Sequence, residues 1–282
     1  MKGIIIAAGY GTRFLPATKT LPKEMFPLVD TPAIDFIVDE FVDSGINQIL
    51  IVSSRRKKIL EDYFDREIEL ETVFTRENDT KKLEKIKTKD INFYFIRQKE
   101  MLGTGHAILT CKDFIGNDPF VIAYPDDFVF SKTPLSKQLI DIYNKTGQSV
   151  LSGEIIDGDV SRYGVIDYKE EKNLLKMSKI VEKPKKGEEP SKMISVGRYL
   201  FTPELITLLS ENFKKHTKGE FYHIDAINQL ARDGKAYVCN FEGKRVDVGD
   251  KLGYLDGIIQ YALTRDDLKD DFKKILKKYS QL

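Results

Sequence analysis

The sequence predicts an α/β protein whose central sheet is mixed, mainly parallel and flanked by helices. Short apolar runs alternate with segments in which apolar residues recur every three or four positions, the pattern of strands alternating with amphipathic helices. This β-α-β order favours parallel strands with helices on both faces. A glycine-rich segment follows the first apolar run, and ligands of such sheets bind beyond the carboxyl ends of the strands.

The elements of the first half can be placed in order. The predicted strands are residues 3–7, 48–52, 92–97 and 119–124. Ile34, Ile37, Val38, Phe41 and Val42 share one helical face, and Gly45 is a good helix stop. Further helices are predicted at residues 59–64 and 103–111, and the strongly charged segment 67–89 is interpreted as a helix plus an exposed loop.

The second half mixes both types of element. Strands are predicted at residues 149–155, 164–168, 176–181, 195–201 and 236–241, and helices at 203–211 and 224–232. A last helix places four apolar residues on one face between lysines: Phe272, Ile275, Leu276 and Tyr279. A basic amphipathic helix can lie on a membrane. The short apolar face favours docking on the protein's own core or on a partner subunit instead.

Composition excludes several classes of protein. Lys plus Arg number 45 and Asp plus Glu 44, giving a net charge of +1, so no global field marks a nucleic-acid binder. No apolar run approaches a membrane span, and no signal-peptide pattern opens the chain. Cys111 and Cys239 are isolated, which fits neither a disulfide framework nor a zinc site. We therefore expect a cytoplasmic protein without nucleic-acid or membrane partners.

The glycine-rich segment has the chemistry of a polyphosphate site. Gly9 and Gly11 lack Cβ atoms, so main-chain N–H groups can approach an anion, and Arg13, Lys19 and Lys23 follow before any acid. The spacing is not that of a dinucleotide-binding loop, whose third glycine would fall where Phe14 stands. It also lacks the Gly-Lys-Ser/Thr of a Walker loop. An ordinary strand-to-helix turn is the alternative, which the three cations disfavour.

Residues 8–19 (AGYGTRFLPATK) and 22–25 (PKEM) resemble the signature of the sugar-phosphate nucleotidylyltransferases, in particular their uridylyltransferase branch. The resemblance implies the Rossmann-like fold of nucleotide-diphospho-sugar transferases in a single domain, residues 1–282. It would comprise a nucleotide-binding half (1–150), a sugar-binding half (151–250) and C-terminal helices (251–282). A homodimer or homotetramer is also implied.

The resemblance implies a reaction and its participants. UMP would be transferred from UTP to glucose 1-phosphate with Mg²⁺ as cofactor, giving UDP-glucose and pyrophosphate. Ala8, Gly9, Gly11 and Thr12 would bind the nucleotide. The catalytic cations would be Arg13, Lys23 and Lys183. The alternatives are the same reaction with another nucleotide or sugar, such as dTTP with glucose 1-phosphate, and a non-catalytic nucleotide-sugar regulator.

Two aspartates are candidate metal ligands. Asp126 and Asp127 follow a buried apolar run, and Mg²⁺ commonly takes one or two carboxylates plus substrate phosphates. Pro-Asp-Asp is equally good turn chemistry. The resemblance assigns the metal to Asp126 and to Asp247. Asp250 fits the N-cap of the following helix, which leaves Asp247 free.

The remaining site residues also come from the resemblance. Gln98 has an amide suited to a uracil edge, and Gly103 would allow close approach to base or ribose. Gly164, Glu182 and Gly197 would contact the hexose. Residues 220–227 (EFYHIDAI) depart from the usual EIQLTDAI by bulkier Tyr222 and His223, which leaves the exact hexose open. The three histidines are interpreted as structural.

Overall fold

The computed structural model describes residues 1–280 and is organised around a nine-stranded mixed sheet with the strand order 5-4-1-6-11-8-12-10-9. The strands in chain order are β1 (Lys2–Ile6), β2 (Pro27–Leu28), β3 (Thr31–Pro32), β4 (Gln48–Ser53), β5 (Asn92–Arg97), β6 (Phe120–Ala123), β7 (Asp127–Phe130), β8 (Ser149–Ile155), β9 (Gly164–Glu171), β10 (Leu174–Glu182), β11 (Met193–Phe201), β12 (Ala236–Asn240) and β13 (Lys244–Asp247). The helices are α1 (Ala33–Asp43), α2 (Ile59–Phe64), α3 (Ile68–Arg76), α4 (Thr80–Lys85), α5 (Thr104–Leu109), α6 (Lys112–Ile115), α7 (Leu135–Thr146), α8 (Glu204–Lys215), α9 (Ile224–Arg232), α10 (Lys251–Thr264) and α11 (Lys269–Tyr279).

Parallel pairing belongs mostly to the first half of the sheet. Strands β5, β4, β1 and β6 pair in parallel, as predicted. In the second half only β8 and β12 do so; β6–β11, β11–β8, β12–β10 and β10–β9 are antiparallel. The difference arises partly from a tight hairpin, because Lys172 and Asn173 between β9 and β10 both adopt positive φ. The prediction of a mainly parallel sheet therefore holds for its first half.

Two large apolar cores cover the two faces of the sheet, and a third, small cluster is formed by Val160, Val165, Ile194 and Val196. On β1, Ile4 and Ile6 enter one core while Ile5 and Ala7 enter the other, because successive strand residues point to opposite faces. Strands of both chain halves contribute to each core. The sheet is thus one continuous platform, on which the carboxyl ends of β1 and β6 lie side by side.

Most predicted elements are present with shifted ends, and β9 and β10 extend beyond the predicted strands. The charged segment 67–89 contains two short helices, α3 and α4, instead of one. Helix α11 packs on α10, but Ile275 and Tyr279 on its apolar face stay more than half exposed. The apolar face of α11 is therefore only partly covered by its own chain. Among residues 1–280 no helix has both the length and the apolar character needed to span a membrane.

A separate two-stranded ribbon brings two acidic segments of the chain together. β7 and β13 pair antiparallel, with Asp127 opposite Asp247. The main-chain N–H of Val248 then donates to the carbonyl of Asp126 at 2.8 Å. Two acidic segments far apart in the chain are thereby held together at the end of β6.

Candidate active site

An open cleft of about 610 Å³ lies beyond the carboxyl ends of the central strands. That size suits a small-molecule ligand. It is lined by Arg13, Thr104, Tyr124, Asp126, Asp127, Arg162, Tyr163, Gly164, Ile180, Glu182, Ser195, Gly197, Tyr199, Tyr222, His223, Ile224, Arg245, Asp247 and Asp250. Six of the residues predicted from the sequence are in this set: Arg13, Asp126, Gly164, Glu182, Gly197 and Asp247.

The glycine loop (residues 9–25) is a series of tight turns. Gly11 adopts a left-handed conformation, with φ of 65°, and its carbonyl accepts a hydrogen bond of 2.8 Å from the Thr18 hydroxyl. Ala8 is buried beneath the loop, whereas Gly9, Thr12 and Arg13 are exposed. Exposed main-chain donors and one guanidinium are therefore presented beside the end of β1, as an anion site requires.

A buried ion pair anchors the glycine loop. The ammonium of Lys57 lies 2.8 Å from both carboxylate oxygens of Glu24 and 2.5 Å from the carbonyl of Ala7. Both side chains are nearly inaccessible. Burial, the largest influence, lowers the pKa of Lys57, and Glu24 opposes it. This pair ties the glycine loop to the segment after β4.

Lys23 forms an ion pair with Asp126, whose side chain lines the cleft. Burial by itself would raise the pKa of Asp126, but the ammonium of Lys23 outweighs it and the pKa lies below its usual range. Burial likewise opposes the charge on Lys23, yet Asp126 and then Glu24 raise its pKa. Both groups are therefore charged at neutral pH, and the loop and the acidic strand end meet.

Asp126 and Asp247 converge on one point. A Cβ atom on Gly249 would lie 2.9 Å from Oδ1 of Asp247, 3.0 Å from Oδ2 of Asp126 and 3.3 Å from Nη1 of Arg13. Burial and then Asp127 raise the pKa of Asp247. Two hard oxygen donors beside a side-chain-free position suit a Mg²⁺ ion that takes its other ligands from phosphates and water. The residues present fit this metal.

The neighbouring acids have other partners. Asp127 accepts hydrogen bonds from Nε and Nη2 of Arg245 at 2.8 and 2.9 Å, and Nη2 also donates to Asp247 at 3.3 Å. Arg245 also stacks over the ring of Tyr163, 5.5 Å from its centroid. Asp250 caps α10 by accepting from the N–H groups of Leu252 and Gly253, both at 3.0 Å, as predicted.

The part of the cleft wall that contains Gly164, Glu182 and Gly197, which we call the sugar-side wall because the resemblance assigns the hexose to it, rests on a buried ion pair. Arg198, with no exposed surface, donates to both carboxylate oxygens of Glu40 at 2.8 and 2.9 Å. The adjacent Gly197 donates its N–H to Asp127 at 3.2 Å, and a Cβ atom there would press on the Tyr124 ring at 3.2 Å. Gly164 faces Glu182, whose carboxylate would lie 3.0 Å from its Cβ. Main chain is thus exposed to the cleft at both glycines.

Eight predicted site residues are not in the cleft lining: Ala8, Gly9, Gly11, Thr12, Lys23, Gln98, Gly103 and Lys183. Lys183 does not line the cleft; its side chain is 68% exposed and its ammonium lies 3.8 Å from Glu182. Gln98 is buried and donates its amide to the Gly103 carbonyl and to His106, at 3.1 Å each. Gly103, with φ of 96°, leaves room for the main chain of Phe221, 2.7 Å from where its Cβ would be.

Several residues of the site were not found from the sequence. They are Lys57, Arg245, Arg162, Tyr163, Tyr124, Glu40 and Arg198. Arg245 lies two positions before Asp247, directly before the predicted site segment 246–254, and that proximity was an available signal. Glu40 and Arg198 carry opposite charges in strongly apolar surroundings, which also marks a buried pair.

The sequence is similar to known proteins over nearly its whole length. A sequence model of the family described as nucleotidyl transferase matches residues 2–263. A protein of Staphylococcus epidermidis named UTP–glucose-1-phosphate uridylyltransferase is 44% identical over 280 residues, covering 98% of this chain and 97% of that protein. One of Staphylococcus saprophyticus, named UTP–glucose-1-phosphate uridylyltransferase 2, is 42% identical with the same coverage.

Solved structures show the same relationship. The UTP-bound UGPase of Acinetobacter baumannii superposes with a TM-score of 0.90 at 34% identity, covering 99% of both chains. A UDP-glucose pyrophosphorylase complexed with UDP-glucose gives a TM-score of 0.82 at 38% identity, covering 94% of this chain and 99% of that one. The chain therefore belongs to the nucleotidyl transferase family and, within it, to the UTP–glucose-1-phosphate uridylyltransferases.

Proposed function

We propose that this protein catalyses the Mg²⁺-dependent transfer of UMP from UTP to glucose 1-phosphate, releasing pyrophosphate and forming UDP-glucose. The single observation that supports this most is the convergence of Arg13, Asp126 and Asp247 on one point beside Gly249. A guanidinium and two carboxylates at that spacing can hold a polyphosphate together with a divalent cation. The relatives named for this reaction, and the neighbour bound to UTP, support the same substrate.

The reaction needs little acid–base chemistry. A phosphate oxygen of glucose 1-phosphate attacks the α-phosphorus of UTP, forming the new P–O bond as the bond to pyrophosphate breaks. The nucleophile is already anionic at neutral pH, so no general base has to remove a proton. The chain's contribution is positioning and neutralisation of charge.

The cations have separate tasks in this proposal. Arg13, exposed on the glycine loop, would stabilise the departing pyrophosphate. Lys23 would exchange its Asp126 partner for an oxygen near the α-phosphate. Lys183, with its unburied ammonium at the edge of the sugar-side wall, would neutralise the attacking phosphate. A freely moving side chain suits that last task because it can follow an arriving anion.

The two carboxylates would hold the metal. Asp126 and Asp247 would bind Mg²⁺, which when bound supplies Lewis-acid neutralisation of phosphate charge. Ala8, Gly9, Gly11 and Thr12 would line the nucleotide phosphates, and Gln98 and Gly103 would shape the base pocket. Gly164, Glu182 and Gly197 would contact the hexose.

A pyrophosphate-release assay tests the proposal. The purified protein is offered UTP, dTTP, ATP, CTP or GTP with glucose 1-phosphate or another hexose 1-phosphate, with Mg²⁺ or with excess EDTA. We expect UTP with glucose 1-phosphate to give the highest kcat/KM and EDTA to abolish turnover. Preference for dTTP, or full activity in EDTA, would contradict the proposal.

We also propose that the enzyme works in the cytoplasm as a homodimer or homotetramer. Its two cysteines are buried and unpaired, which suits a reducing compartment. Sedimentation velocity at micromolar concentration would measure the assembly. A single species at the mass of one chain would contradict it.

A further inference from the structure

Arg245, which lines the cleft, is surrounded by three carboxylates. Its Nε and Nη2 donate to the two oxygens of Asp127, and Nη2 also donates to Oδ2 of Asp247 at 3.3 Å. Nη1 lies 3.9 Å from Glu154, and the guanidinium carbon lies 5.5 Å from the centroid of the Tyr163 ring. Only 12% of the Arg245 side chain is exposed, so these contacts fix the position of its guanidinium.

The two oxygens of Asp247 are held by different groups. Oδ2 accepts from Arg245, whereas Oδ1 accepts from the main-chain N–H of Gly249 at 2.9 Å. Oδ1 is also the oxygen that lies 2.9 Å from the Cβ position of Gly249, the point on which Oδ2 of Asp126 converges. A carboxylate oxygen can accept from an N–H and still bind a cation, and this side chain is 42% exposed. The bond from Arg245 to Oδ2 therefore leaves Oδ1 facing the proposed metal position.

The ribbon of β7 and β13 places Arg245 for this contact. Arg245 and Asp247 lie two positions apart on β13 and so point to the same face. Asp127 stands opposite Asp247 on β7, which makes it the diagonal neighbour of Arg245. Asp127 in turn accepts the N–H of Gly197 at 3.2 Å. The side chain that orients Asp247 is thus itself held by Asp127, and Asp127 is held by the main chain of the sugar-side wall.

We propose that Arg245 is a positioning residue that orients the carboxylate of Asp247 for the Mg²⁺ ion bound with the nucleotide. This inference rests on the proposed function and adds a residue that acts through a metal ligand. A ligating carboxylate that loses such a partner commonly binds its metal about 10- to 100-fold more weakly. Charge alone predicts the opposite sign, because Arg245 is a permanent cation and its removal would strengthen the binding of another cation.

Calorimetric titration of UTP separates these two effects. The dissociation constant of UTP is measured in saturating Mg²⁺ and in excess EDTA, and their ratio reports how strongly the protein–UTP complex holds the metal. We expect Arg245→Gln to lower this gain from Mg²⁺ about 10-fold or more. UTP affinity in EDTA should change little, because the charge of Arg245 is already offset by its carboxylate neighbours, whereas a general disturbance of the cleft would weaken it.

Two further variants complete the comparison. Arg245→Lys keeps the charge, but one ammonium group cannot replace the planar guanidinium that bridges Asp127 and Asp247, so we expect a smaller loss of the Mg²⁺ gain in the same direction. Charge alone predicts no change in this variant. Arg66→Gln is the matched control, since it breaks an exposed arginine–carboxylate pair with Glu71 outside the cleft, and its gain should equal that of the wild type.

The outcomes distinguish this inference from the proposed function. If Arg245→Gln does not fold, Arg245→Lys decides the question. An unchanged or larger Mg²⁺ gain in the folded variants of Arg245 would overturn the inference. A wild type whose UTP affinity does not depend on Mg²⁺ would overturn the metal assignment and this inference with it. A wild type that shows the Mg²⁺ gain but makes no UDP-glucose would overturn the proposed function alone.

Discussion

The proposed nucleotide side and the proposed sugar side of the cleft hold their charged groups differently. On the nucleotide side, charges are already paired: Lys23 with Asp126 and Lys57 with Glu24. On the proposed sugar side, the pairs Arg198–Glu40 and Arg245–Asp127 lie within the wall, whereas Lys183 at the edge is mostly exposed.

The difference reflects the ligands that we propose. Triphosphate and Mg²⁺ bring high charge, and clustered cations and carboxylates would repel among themselves unless each had a partner before the ligand arrives. A hexose brings neutral hydroxyl groups, for which preoriented donors and acceptors suffice. Paired charges therefore meet the proposed phosphates on one side, whereas on the other side they support the wall and leave one exposed cation at its edge.

The largest effect should come from the metal position. Asp126→Asn removes a charge that both Lys23 and the proposed Mg²⁺ require, so we expect kcat to fall by about 10³-fold. Steady-state turnover across a Mg²⁺ titration measures this. Asp118→Asn, at an exposed carboxylate paired with Lys2, is the matched control and should keep its activity. Wild-type turnover in Asp126→Asn would refute the metal assignment.

Breaking the buried Lys57–Glu24 pair should lower the free energy of unfolding. Glu24→Gln leaves the Lys57 charge buried without its counterion, and we expect the free energy of unfolding to fall by about 3–5 kcal/mol. Urea denaturation measures the loss. Glu84→Gln breaks an exposed pair with Lys87 and should change stability by less than about 1 kcal/mol. Equal effects of the two substitutions would show that the loop is not anchored by this pair.

The free energy of unfolding should depend on pH through His223. An unfolded histidine titrates near its ordinary pKa of 6.5, whereas His223 in the fold does so at about 4. As the pH falls from 6.5 to about 4, His223 binds a proton in the unfolded chain but not in the folded protein, so the free energy of unfolding decreases. The full loss, reached below the lower pKa, is about 3 kcal/mol.

The groups that face this ring, Thr104 and Tyr199, stay neutral throughout that window, since burial raises the pKa of Tyr199 to about 12. Unfolding free energies of the wild type and His223→Leu are compared across the window. The wild type should lose more stability than the variant towards acid. Parallel curves would mean that His223 is not kept neutral.

The smallest effect should be confined to one substrate. Lys183→Ala removes an exposed cation, and we expect KM for glucose 1-phosphate to rise about 10-fold while KM for UTP is unchanged. Arg13→Ala, by contrast, should impair both the forward and the pyrophosphorolysis directions. Initial-rate kinetics in both directions separate the two. Identical profiles would remove the division between a nucleotide side and a sugar side.

Local patterns predicted the parts of the site that lie within short segments. The glycine loop, Asp126 at the end of an apolar run and Asp250 as a helix cap could each be recognised from residue types and spacing, whereas Asp247 came from the family resemblance. The strand and helix pattern predicted the parallel first half of the sheet for the same reason.

Pairings between distant segments could not be predicted this way. Arg245 meets Asp127 across 118 positions, and Lys57 meets Glu24 across 33, because β7 pairs with β13 and the segment after β4 returns under the glycine loop. Nothing local at Gly103 indicates that the main chain of Phe221 is what approaches it. The charge partners that set the site's electrostatics depend on topology, which spacing along the chain does not encode.

The central claim, that Asp126, Asp247 and Arg13 form one cation-and-phosphate site, can be tested by anomalous diffraction from Mn²⁺ in crystals grown with UTP. Mn²⁺ accepts the same hard oxygen ligands as Mg²⁺. We predict a single strong peak within about 2.5 Å of carboxylate oxygens of both aspartates, with the triphosphate against Arg13. A Mn²⁺ peak bound elsewhere, with UTP in place and neither aspartate as a ligand, would contradict the account.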